Sequence, residues 1–399
     1  MKLRKQRTIT LLVVLTSLLA FAACNRGVNQ PVRFASTSDP GVGNAPISNQ
    51  PATLSGPPVL SYADIVNRVS PAVITIHSEM RVRAPQQYPF MNDPLFRQFF
   101  GDRVPQQIPE QRRSGLGSGV IISTDGYILT NHHVIDGAEQ IKVDLNDNRT
   151  LDARVIGSDP PSDLAVLKVD ATNLPVLALG NSDNVRVGDV VLAIGNPLGI
   201  GQTVTMGIIS AKGRQTGLSS GAFEDFLQTD APINQGNSGG ALVSTNSELI
   251  GINSQILSPS GGSIGIGFSI PSNMARTIAD TLVKNGSVHR GQLGIVVVRA
   301  NSEPAREMGI KDTKGLVVGQ VQPGSGAERA GLKKGDIITA YNGAEMTDPN
   351  VFRNQVASTA PGSVVTLNVV RDGRELQIRA TLGEFTPKPD RESESEIPR

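Results

Sequence analysis

The chain has 399 residues, and its 37 Lys and Arg against 36 Asp and Glu give a formal charge of +1. This balance argues against nucleic-acid binding, which needs a basic excess somewhere in the chain. The single cysteine excludes an intramolecular disulfide, a cysteine-rich zinc site and an iron–sulfur cluster. We expect no metal and no cofactor, and the 42 Gly and 26 Pro favour a turn-rich β protein.

The N-terminus is typical of an export signal peptide, which we place at residues 1–23. A basic start is followed by the uncharged run Thr8–Ala23, which is shorter than the roughly 20 residues of a membrane span. Phe21-Ala22-Ala23-Cys24 resembles a bacterial lipobox, in which the cysteine becomes the lipidated first residue, although Leu or Val is usual where Phe21 stands. Cleavage after Ala22 and an uncleaved anchor are the alternatives. All three place the body of the protein outside the cytoplasm.

Two segments near the N-terminal end differ from the rest of the chain. Residues 24–59 are rich in Pro, Gly, Ser, Asn and Gln, a composition that predicts a flexible linker. A short helical turn follows near Tyr62–Val66. Residues 84–113 then interrupt the β pattern, yet they carry four of the eleven Phe residues. A long loop with that aromatic content packs either against another subunit or over its own domain.

Most of the remaining chain reads as β structure. From Gly115 to Pro271 short apolar runs alternate with turns, which indicates barrels or a sandwich. Apolar residues at helical spacing in 273–284 predict a helix, with Ser272 as its N-cap and Gly286 just past its end. Such a helix would close one domain.

The helix suggests where the domains divide. We assign residues 60–286 to the first domain and residues 290–384 to a second, smaller one. The charged, Pro-containing residues 385–399 predict a disordered tail.

Three parts of a nucleophilic acyl transfer are present: a histidine, either His132 or His133, together with Asp163 and Ser238. The histidine pair directly follows a predicted strand, Asp163 lies 30 residues beyond His133, and Ser238 lies within the Gly-Asn-Ser-Gly-Gly run at 236–240. The reaction needs a hydroxyl that attacks, an imidazole that takes and returns its proton, and a carboxylate that fixes the imidazole tautomer. The order His, Asp, Ser is that of the two-barrel proteases and differs from that of α/β-hydrolases and subtilisins.

The small residues beside Ser238 allow a tight turn. Such a turn could aim the backbone N–H groups of Gly236, Asn237 and Ser238 at a developing oxyanion. In measured cases one donor of this kind contributes roughly 3–4 kcal/mol to the transition state.

These motifs together resemble those of the HtrA family of serine proteases, the bacterial Deg proteases of the cell envelope. The resemblance covers roughly residues 60–383 and rests on the segments 116–121, 130–134, 157–160, 162–166, 193–197, 228–234, 236–242 and 264–271. It implies an all-β dominated fold, with a trypsin-like double β-barrel followed by one PDZ domain. In the related motif the base precedes the apolar Val134–Ile135, so we prefer His133 to His132, where the family usually has Asn, Lys or another polar residue.

The resemblance also implies a peptide-binding loop at the start of the second domain. Gln292, Leu293, Gly294 and Ile295 resemble the PDZ loop whose backbone N–H groups hold a peptide's C-terminal carboxylate. The bound peptide would add a strand to the edge of the sheet.

Two further sites are implied in the first domain. Pro232 and Ile233 match the wall of the S1 pocket, and no acidic residue stands there to select Arg or Lys. We therefore expect the pocket to accept small or medium aliphatic side chains. Arg214 matches a regulatory position that links an activating loop to the PDZ domain or to a neighbouring subunit.

The function that the resemblance implies is that of an ATP-independent serine endopeptidase degrading misfolded or damaged exported proteins. It also implies C-terminal peptides as PDZ partners and a trimer-based homo-oligomer. The chain contains no Gly-rich nucleotide-binding loop with Lys-Ser or Lys-Thr, so energy-dependent unfolding is not expected. One alternative is a regulatory protease that cleaves a specific signalling substrate. Another is a chaperone or peptide-binding protein.

Overall fold

Two closed six-stranded β-barrels, an open six-stranded sheet and a two-stranded sheet form the framework of the described part of the computed structural model, which comprises residues 61–82, 111–196, 201–217, 223–259, 261–310 and 314–386. The open sheet is called the third sheet. The predicted signal peptide, Cys24, the linker at 24–59 and the Phe residues of the insertion lie outside these ranges. None of the helices within these ranges is long and apolar enough to cross a membrane.

The first barrel consists of β1 (Val73–Val82), β2 (Gln111–Ile121), β3 (Tyr127–Thr130), β4 (Gln140–Asp144), β5 (Thr150–Asp159) and β6 (Leu164–Val169). It closes in the antiparallel order β1-β2-β3-β6-β5-β4. Helix α1 (Ala63–Val69) precedes β1, and the single turn α2 (His132–Ile135) follows β3. β6 is almost wholly buried, which explains its nearly continuous apolar sequence, whereas β4 alternates between exposed and buried residues.

The second barrel consists of β7 (Val190–Gly195), β8 (Thr203–Arg214), β9 (Phe226–Thr229), β10 (Ala241–Ser244), β11 (Leu249–Ile256) and β12 (Gly267–Pro271). It closes in the order β10-β11-β12-β9-β8-β7. Each barrel has its own apolar core, and a further cluster joins the two, with Leu129 and Leu164 from the first barrel and Leu192 and Ile252 from the second. Fully burying one such side chain contributes about 1.5–3 kcal/mol, so the barrels hold each other firmly.

Helix α3 (Ser272–Asn285) packs on both barrels and matches the predicted helix within two residues. Its buried residues, Ala275, Ile278, Ala279 and Leu282, join the cluster between the barrels. Gly286 ends the helix at φ +75°, as expected, and its N–H donates to the carbonyl of Leu282. The predicted cap is wrong: Ser272 is the first helical residue, and its hydroxyl donates to the carbonyl of Gly180.

The third sheet has the order β14-β15-β16-β18-β19. This part of the chain comprises β13 (Gly291–Gln292), β14 (Ile295–Arg299), α4 (Glu303–Glu307), β15 (Leu316–Val321), α5 (Gly326–Arg329), β16 (Ile337–Tyr341), β17 (Ala344–Glu345), α6 (Pro349–Ser358), β18 (Val364–Arg371), β19 (Arg374–Thr381) and β20 (Gly383–Glu384). β17 pairs with β16, while β13 and β20 pair with each other in a separate two-stranded sheet. β14 lies at the edge, paired within the described sheet with β15 alone, so its other side can accept a further strand.

A buried ion pair joins the first barrel to the chain that enters this sheet. Both guanidinium nitrogens of Arg290 donate to the carboxylate of Asp159, one of them at 2.6 Å, and both side chains are more than 90% buried. Arg290 also lies over the ring of Phe223, 4.7 Å from its centre. Phe385, which the sequence assigns to the disordered tail, packs edge-on against Phe223 and donates its N–H to Arg290.

Candidate active site

The His133 imidazole stands on the single helical turn that follows β3. The turn is held down by Val134 and Ile135, which are buried in the core of the first barrel. His133 itself lies on the opposite side, with 48% of its side chain exposed. The apolar pair therefore anchors the turn while the imidazole faces the solvent.

The carboxylate of Asp163 fixes this imidazole. His133 Nδ1 lies 2.9 Å from both carboxylate oxygens, and the His133 backbone N–H donates to Oδ1 at 3.1 Å. An Nδ1–H that donates to a carboxylate leaves Nε2 as the atom that can accept a proton. The pair thus has the arrangement of a general base held by an acid.

Asp163 adopts a backbone conformation that is uncommon outside glycine, with φ +56° and ψ +37°. Its carbonyl accepts hydrogen bonds from the His132 N–H at 3.1 Å and from the Asn131 side chain at 2.9 Å. The turn Pro160–Ser162 leads into it. Neighbouring contacts therefore hold the strained residue, as is typical of functional sites.

Ser238 lies in the turn between β9 and β10, whose backbone conformation and close contacts require glycine on either side of Asn237 and Ser238. Gly236 and Gly239 have φ values of +96° and +82°, which strongly favour glycine. A Cβ on Gly239 would come within 2.1 Å of the Ser118 carbonyl oxygen. The Ser238 hydroxyl donates to the carbonyl of Ser254 at 3.0 Å.

Ser254 connects the acid to the nucleophile, and sequence reasoning missed it. Its hydroxyl donates to Asp163 Oδ2 at 2.7 Å, while its carbonyl accepts from Ser238. Ser254 belongs to β11, 91 residues beyond Asp163, and no local motif marks it. Asn131 was also missed, although its place directly before the His pair offered a signal.

His132 points elsewhere, which supports the choice of His133. Its Nε2 lies 3.7 Å from Asp136, and its Nδ1 is buried with no hydrogen-bond partner among the described residues. Only 21% of its side chain is exposed. An imidazole in this position does not contact the Asp163 carboxylate.

The three predicted oxyanion donors differ in their contacts. The N–H of Asn237 already donates to the carbonyl of Asn234 at 3.0 Å. The N–H groups of Gly236 and Ser238 have no acceptor among the described residues, so both are available to a bound oxygen atom.

Of the two residues assigned to the S1 wall, one is buried inside the second barrel and the other is exposed at its surface. Ile233 is 1% exposed and belongs to the barrel core, beside Gly267. Pro232 is exposed, and its carbonyl accepts the hydroxyl of Thr205 at 2.8 Å. The segment places apolar rather than charged groups ahead of Ser238.

The loop predicted to bind a carboxylate lies at the start of the third sheet. Gln292 ends β13, Leu293 is buried in the core of this sheet, Gly294 has φ +80°, and Ile295 begins β14. A Cβ on Gly294 would come within 2.3 Å of Ser325. The N–H groups of Leu293 and Gly294 have no acceptor among the described residues, which suits a cradle for a carboxylate.

This loop opens onto a groove of about 370 Å³ between β14 and α6. The groove is lined by Leu293, by Ile295 and Val297 of β14 and by Phe352 and Val356 of α6. Gln215 and Phe223, from the connection between β8 and β9 of the second barrel, also line it. The barrel therefore contributes directly to the wall of the groove.

Arg214, the predicted regulatory residue, directly precedes Gln215 of the groove wall. Arg214 ends β8, and its side chain donates to Gln228 within the second barrel at 3.0 Å. The next residue, Gln215, donates to Asn350 of α6, and the Asn350 side chain donates to the carbonyl of Glu224 at 2.8 Å.

The contacts of Gln215 and Glu224 with Asn350 form a junction between the second barrel and α6. The pKa of Asp225, beside Glu224, is raised in this junction. Burial raises the pKa of the Asp225 carboxyl, the nearby Asp183 adds to the rise, and Lys212 opposes it. Asp348, which precedes α6, raises it further. The junction thus holds an acidic group that is poorly solvated.

Two six-stranded barrels, with a His–Asp pair from the first and a serine turn from the second, define a trypsin-like serine endopeptidase. The trypsin-like peptidase domain family matches residues 117–252, and the PDZ domain family matches residues 262–382. The predicted fold class is confirmed.

Known proteins identify the family. The chain is 47% identical over 331 residues to the periplasmic pH-dependent serine endoprotease DegQ of Escherichia coli K12, covering 82% of this chain and 71% of DegQ. It is 44% identical over 347 residues to the periplasmic serine endoprotease DegP of the same organism, covering 81% and 72%. The solved structure of the HtrA-type protease AlgW with a decapeptide is 48% identical, with a TM-score of 0.68, covering 82% of this chain and all of that one. The chain belongs to the HtrA family of serine proteases.

Proposed function

We propose that Ser238 is the nucleophile of this serine endoprotease, His133 its general base and Asp163 the acid that orients the base. The observation that carries the assignment is the double 2.9 Å contact between His133 Nδ1 and the Asp163 carboxylate. In the reaction, the Ser238 hydroxyl breaks its hydrogen bond to the Ser254 carbonyl. It then gives its proton to His133 Nε2 as Oγ attacks the substrate carbonyl. The hydrogen bond between a catalytic serine hydroxyl and its base often forms or tightens only when substrate is bound.

The oxyanion that forms in this step would be held by the N–H groups of Gly236 and Ser238. Asn237 contributes by shaping the turn, since its own N–H is engaged by Asn234. The S1 pocket, with Ile233 and Pro232 in its wall, would accept small or medium aliphatic side chains because the segment 231–235 carries no charge.

The substrates that we propose are misfolded or damaged exported proteins. Relatives of the chain are periplasmic proteases, which supports a location outside the cytoplasm. The groove at the third sheet would bind the C-terminal peptides of such substrates, their carboxylates lying against Gln292–Ile295. We assign residues 60–286 to the protease domain and 290–384 to the PDZ domain.

Peptides with free hydrophobic C-termini should raise the rate at which the protein degrades casein. The groove wall includes Gln215 and Phe223 of the second barrel, so an occupied groove can favour one arrangement of the barrel's loops. Amidated peptides should act more weakly because they lack the carboxylate. Release of labelled casein fragments, measured across peptide concentrations, tests this.

A matched pair of variants examines the coupling. Arg214→Ala should reduce the response to peptide because Arg214 ends the strand from which Gln215 reaches α6. Arg186→Ala, an exposed arginine paired with Asp189 elsewhere on the second barrel, should leave the response unchanged. Equal stimulation by free and amidated peptides would show that the loop does not recognise a carboxylate. Casein degradation would then still be expected, whereas its absence would favour a chaperone or peptide-binding protein.

We further propose that residues 1–23 are a signal peptide and that Cys24 carries a lipid that anchors the protein. The family resemblance also supports a trimer-based homo-oligomer. Mass spectrometry of the mature N-terminus should find a lipid-modified Cys24, and Cys24→Ser should release the protein from membranes. A mature chain beginning at Ala23 would instead identify a soluble exported protein.

A further inference from the structure

Ser118 is a fully buried polar residue in β2 that contacts both barrels. Its N–H donates to the Ser238 carbonyl at 2.8 Å, and its hydroxyl donates to the Gly236 carbonyl at 2.7 Å. The same hydroxyl accepts the Asn196 N–H at 2.9 Å, and the Ser118 carbonyl accepts the hydroxyl of Thr130 at 2.8 Å. One residue of the first barrel thus holds the loop that carries the nucleophile.

The hydroxyl contact fixes one peptide plane of that loop. The Gly236–Asn237 peptide has its carbonyl held by Ser118 and its N–H held by the Asn234 carbonyl at 3.0 Å. Because a peptide unit is rigid and planar, holding both polar atoms fixes its orientation. The N–H groups on either side of this plane, those of Gly236 and Ser238, are the proposed oxyanion donors.

The glycine at this position makes the constraint necessary. Gly236 has no Cβ and adopts φ +96°, so its own sterics restrict the adjoining peptide less than those of any other residue. Without the Ser118 hydroxyl, the buried Gly236 carbonyl would lose its partner, and an unpaired buried carbonyl favours rotation toward another donor. Such a rotation would move the neighbouring N–H groups.

The surrounding glycines keep space for this contact. A Cβ on Gly195 would lie 3.0 Å from Ser118 Oγ, and one on Gly239 would lie 2.1 Å from the Ser118 carbonyl oxygen. Both distances are shorter than those at which Cβ atoms normally pack. The close approach of β2 to the serine loop therefore depends on having glycine, with no Cβ, at both positions.

We propose that Ser118 is a positioning residue for the protease reaction, which orients the Gly236–Asn237 peptide and thereby keeps both oxyanion donors aimed at one point. The inference rests on the proposed catalytic role of Ser238. Ser118 acts through the loop and does not touch the substrate.

Three variants test this role: Ser118→Ala, Ser118→Cys and the control Ser123→Ala. Ser123 is also a buried serine of the first barrel whose hydroxyl bonds to a backbone group, accepting the Tyr127 N–H at 3.0 Å, but it does not contact the Ser238 loop. Each variant is measured for kcat and KM on a chromogenic peptide, for the affinity of a peptide boronate, and for Tm. The boronate forms a tetrahedral adduct with the nucleophile and therefore reports on the oxyanion donors.

Ser118→Ala should lower kcat about tenfold to a hundredfold, somewhat less than the loss of a donor itself, and should weaken boronate binding by a similar factor. KM should change by less than roughly twofold, because substrate binding in the ground state does not need the aligned donors. Ser118→Cys, a weaker donor of similar size, should fall between the wild type and Ser118→Ala. Ser123→Ala should lower Tm without changing kcat or boronate affinity.

The contrary results are distinct. If Ser118→Ala keeps the wild-type kcat and boronate affinity, or if Ser123→Ala loses as much of both, the positioning role is wrong. Labelling of the wild type with a fluorophosphonate separates this from the catalytic assignment. A wild-type protein that is not modified at Ser238 would overturn the assignment of the nucleophile and this inference with it. Modification at Ser238 leaves only the Ser118 comparison to decide.

Discussion

Replacing Ser238 by Ala should lower the rate of peptide cleavage about 10⁴- to 10⁶-fold while leaving the fold intact. The substitution removes the attacking oxygen and, within the part of the chain that the structure describes, a single side-chain hydrogen bond, the one to the Ser254 carbonyl. Such a bond contributes about 1 kcal/mol to stability, whereas loss of a catalytic serine removes nearly all of the acceleration that the triad provides. Cleavage of a chromogenic peptide and Tm, measured on the same samples, check both parts.

A neighbouring serine provides the matched control. Ser244 ends β10 six residues beyond Ser238, and among the described residues its hydroxyl contacts only the N–H of Asn246, which it accepts. Ser244→Ala should therefore cleave peptides at the wild-type rate. A Ser238→Ala protein that still cleaves within about tenfold of the wild type would exclude Ser238 as the nucleophile.

The two adjacent histidines allow the base to be tested in the same way. His133→Ala should be nearly as severe as Ser238→Ala, because the imidazole held by Asp163 is lost. His132→Asn should cost little activity, since the His132 side chain faces Asp136 instead. The reverse order of severity would show that the base is His132.

The sequence predicted the fold well because its signals are local and repeated. Short apolar runs separated by turns are visible without any tertiary information, and they indicated barrels or a sandwich. The resemblance to the HtrA family then implied the double barrel, whose twelve strands lie in the described residues. The wrong prediction of Ser272 as an N-cap also came from a local signal. A serine before a helix is usually a cap, but here the Gly180 carbonyl, brought close only by the fold, takes its hydroxyl.

The candidate site was predicted in part. His133, Asp163 and Ser238 stand in recognisable motifs, and the fold brings the first two into contact. The residues that support them could not be found in this way. Ser254 lies in a strand outside every recognised motif segment, and Ser118 lies in the segment 116–121, whose sequence gives no sign of a contact with the Ser238 loop. Only the closing of the second barrel against the first gives them a role.

The junction with the third sheet shows the same limit. The motif at 291–295 predicts a peptide-binding loop, yet the sequence gives no indication that Arg290, just before it, would be buried against Asp159. Long-range ion pairs leave no periodic pattern, since the two partners are 131 residues apart.

Replacing Arg290 by Met should lower the free energy of unfolding by about 3–5 kcal/mol, because it leaves the Asp159 carboxylate buried without its partner. Replacing Asp159 by Leu should cost a similar amount for the converse reason. The double variant should lose much less than the sum, since a buried pair replaced by apolar residues is often nearly neutral. Urea unfolding of the four proteins gives the coupling energy.

The effect should extend to catalysis, because Asp159 leads into the turn Pro160–Ser162 and its carboxylate also accepts the hydroxyl of Ser162. Asp163 follows directly, so Asp159→Leu should lower kcat as well as stability. The control is Arg154→Met, which breaks an exposed pair with Asp170 at 3.4 Å; exposed pairs contribute about 0–1 kcal/mol, and this variant should keep both properties. Stability losses that simply add in the double variant would mean that Arg290 and Asp159 act through other neighbours, such as Phe223 and Ser162, and not through each other.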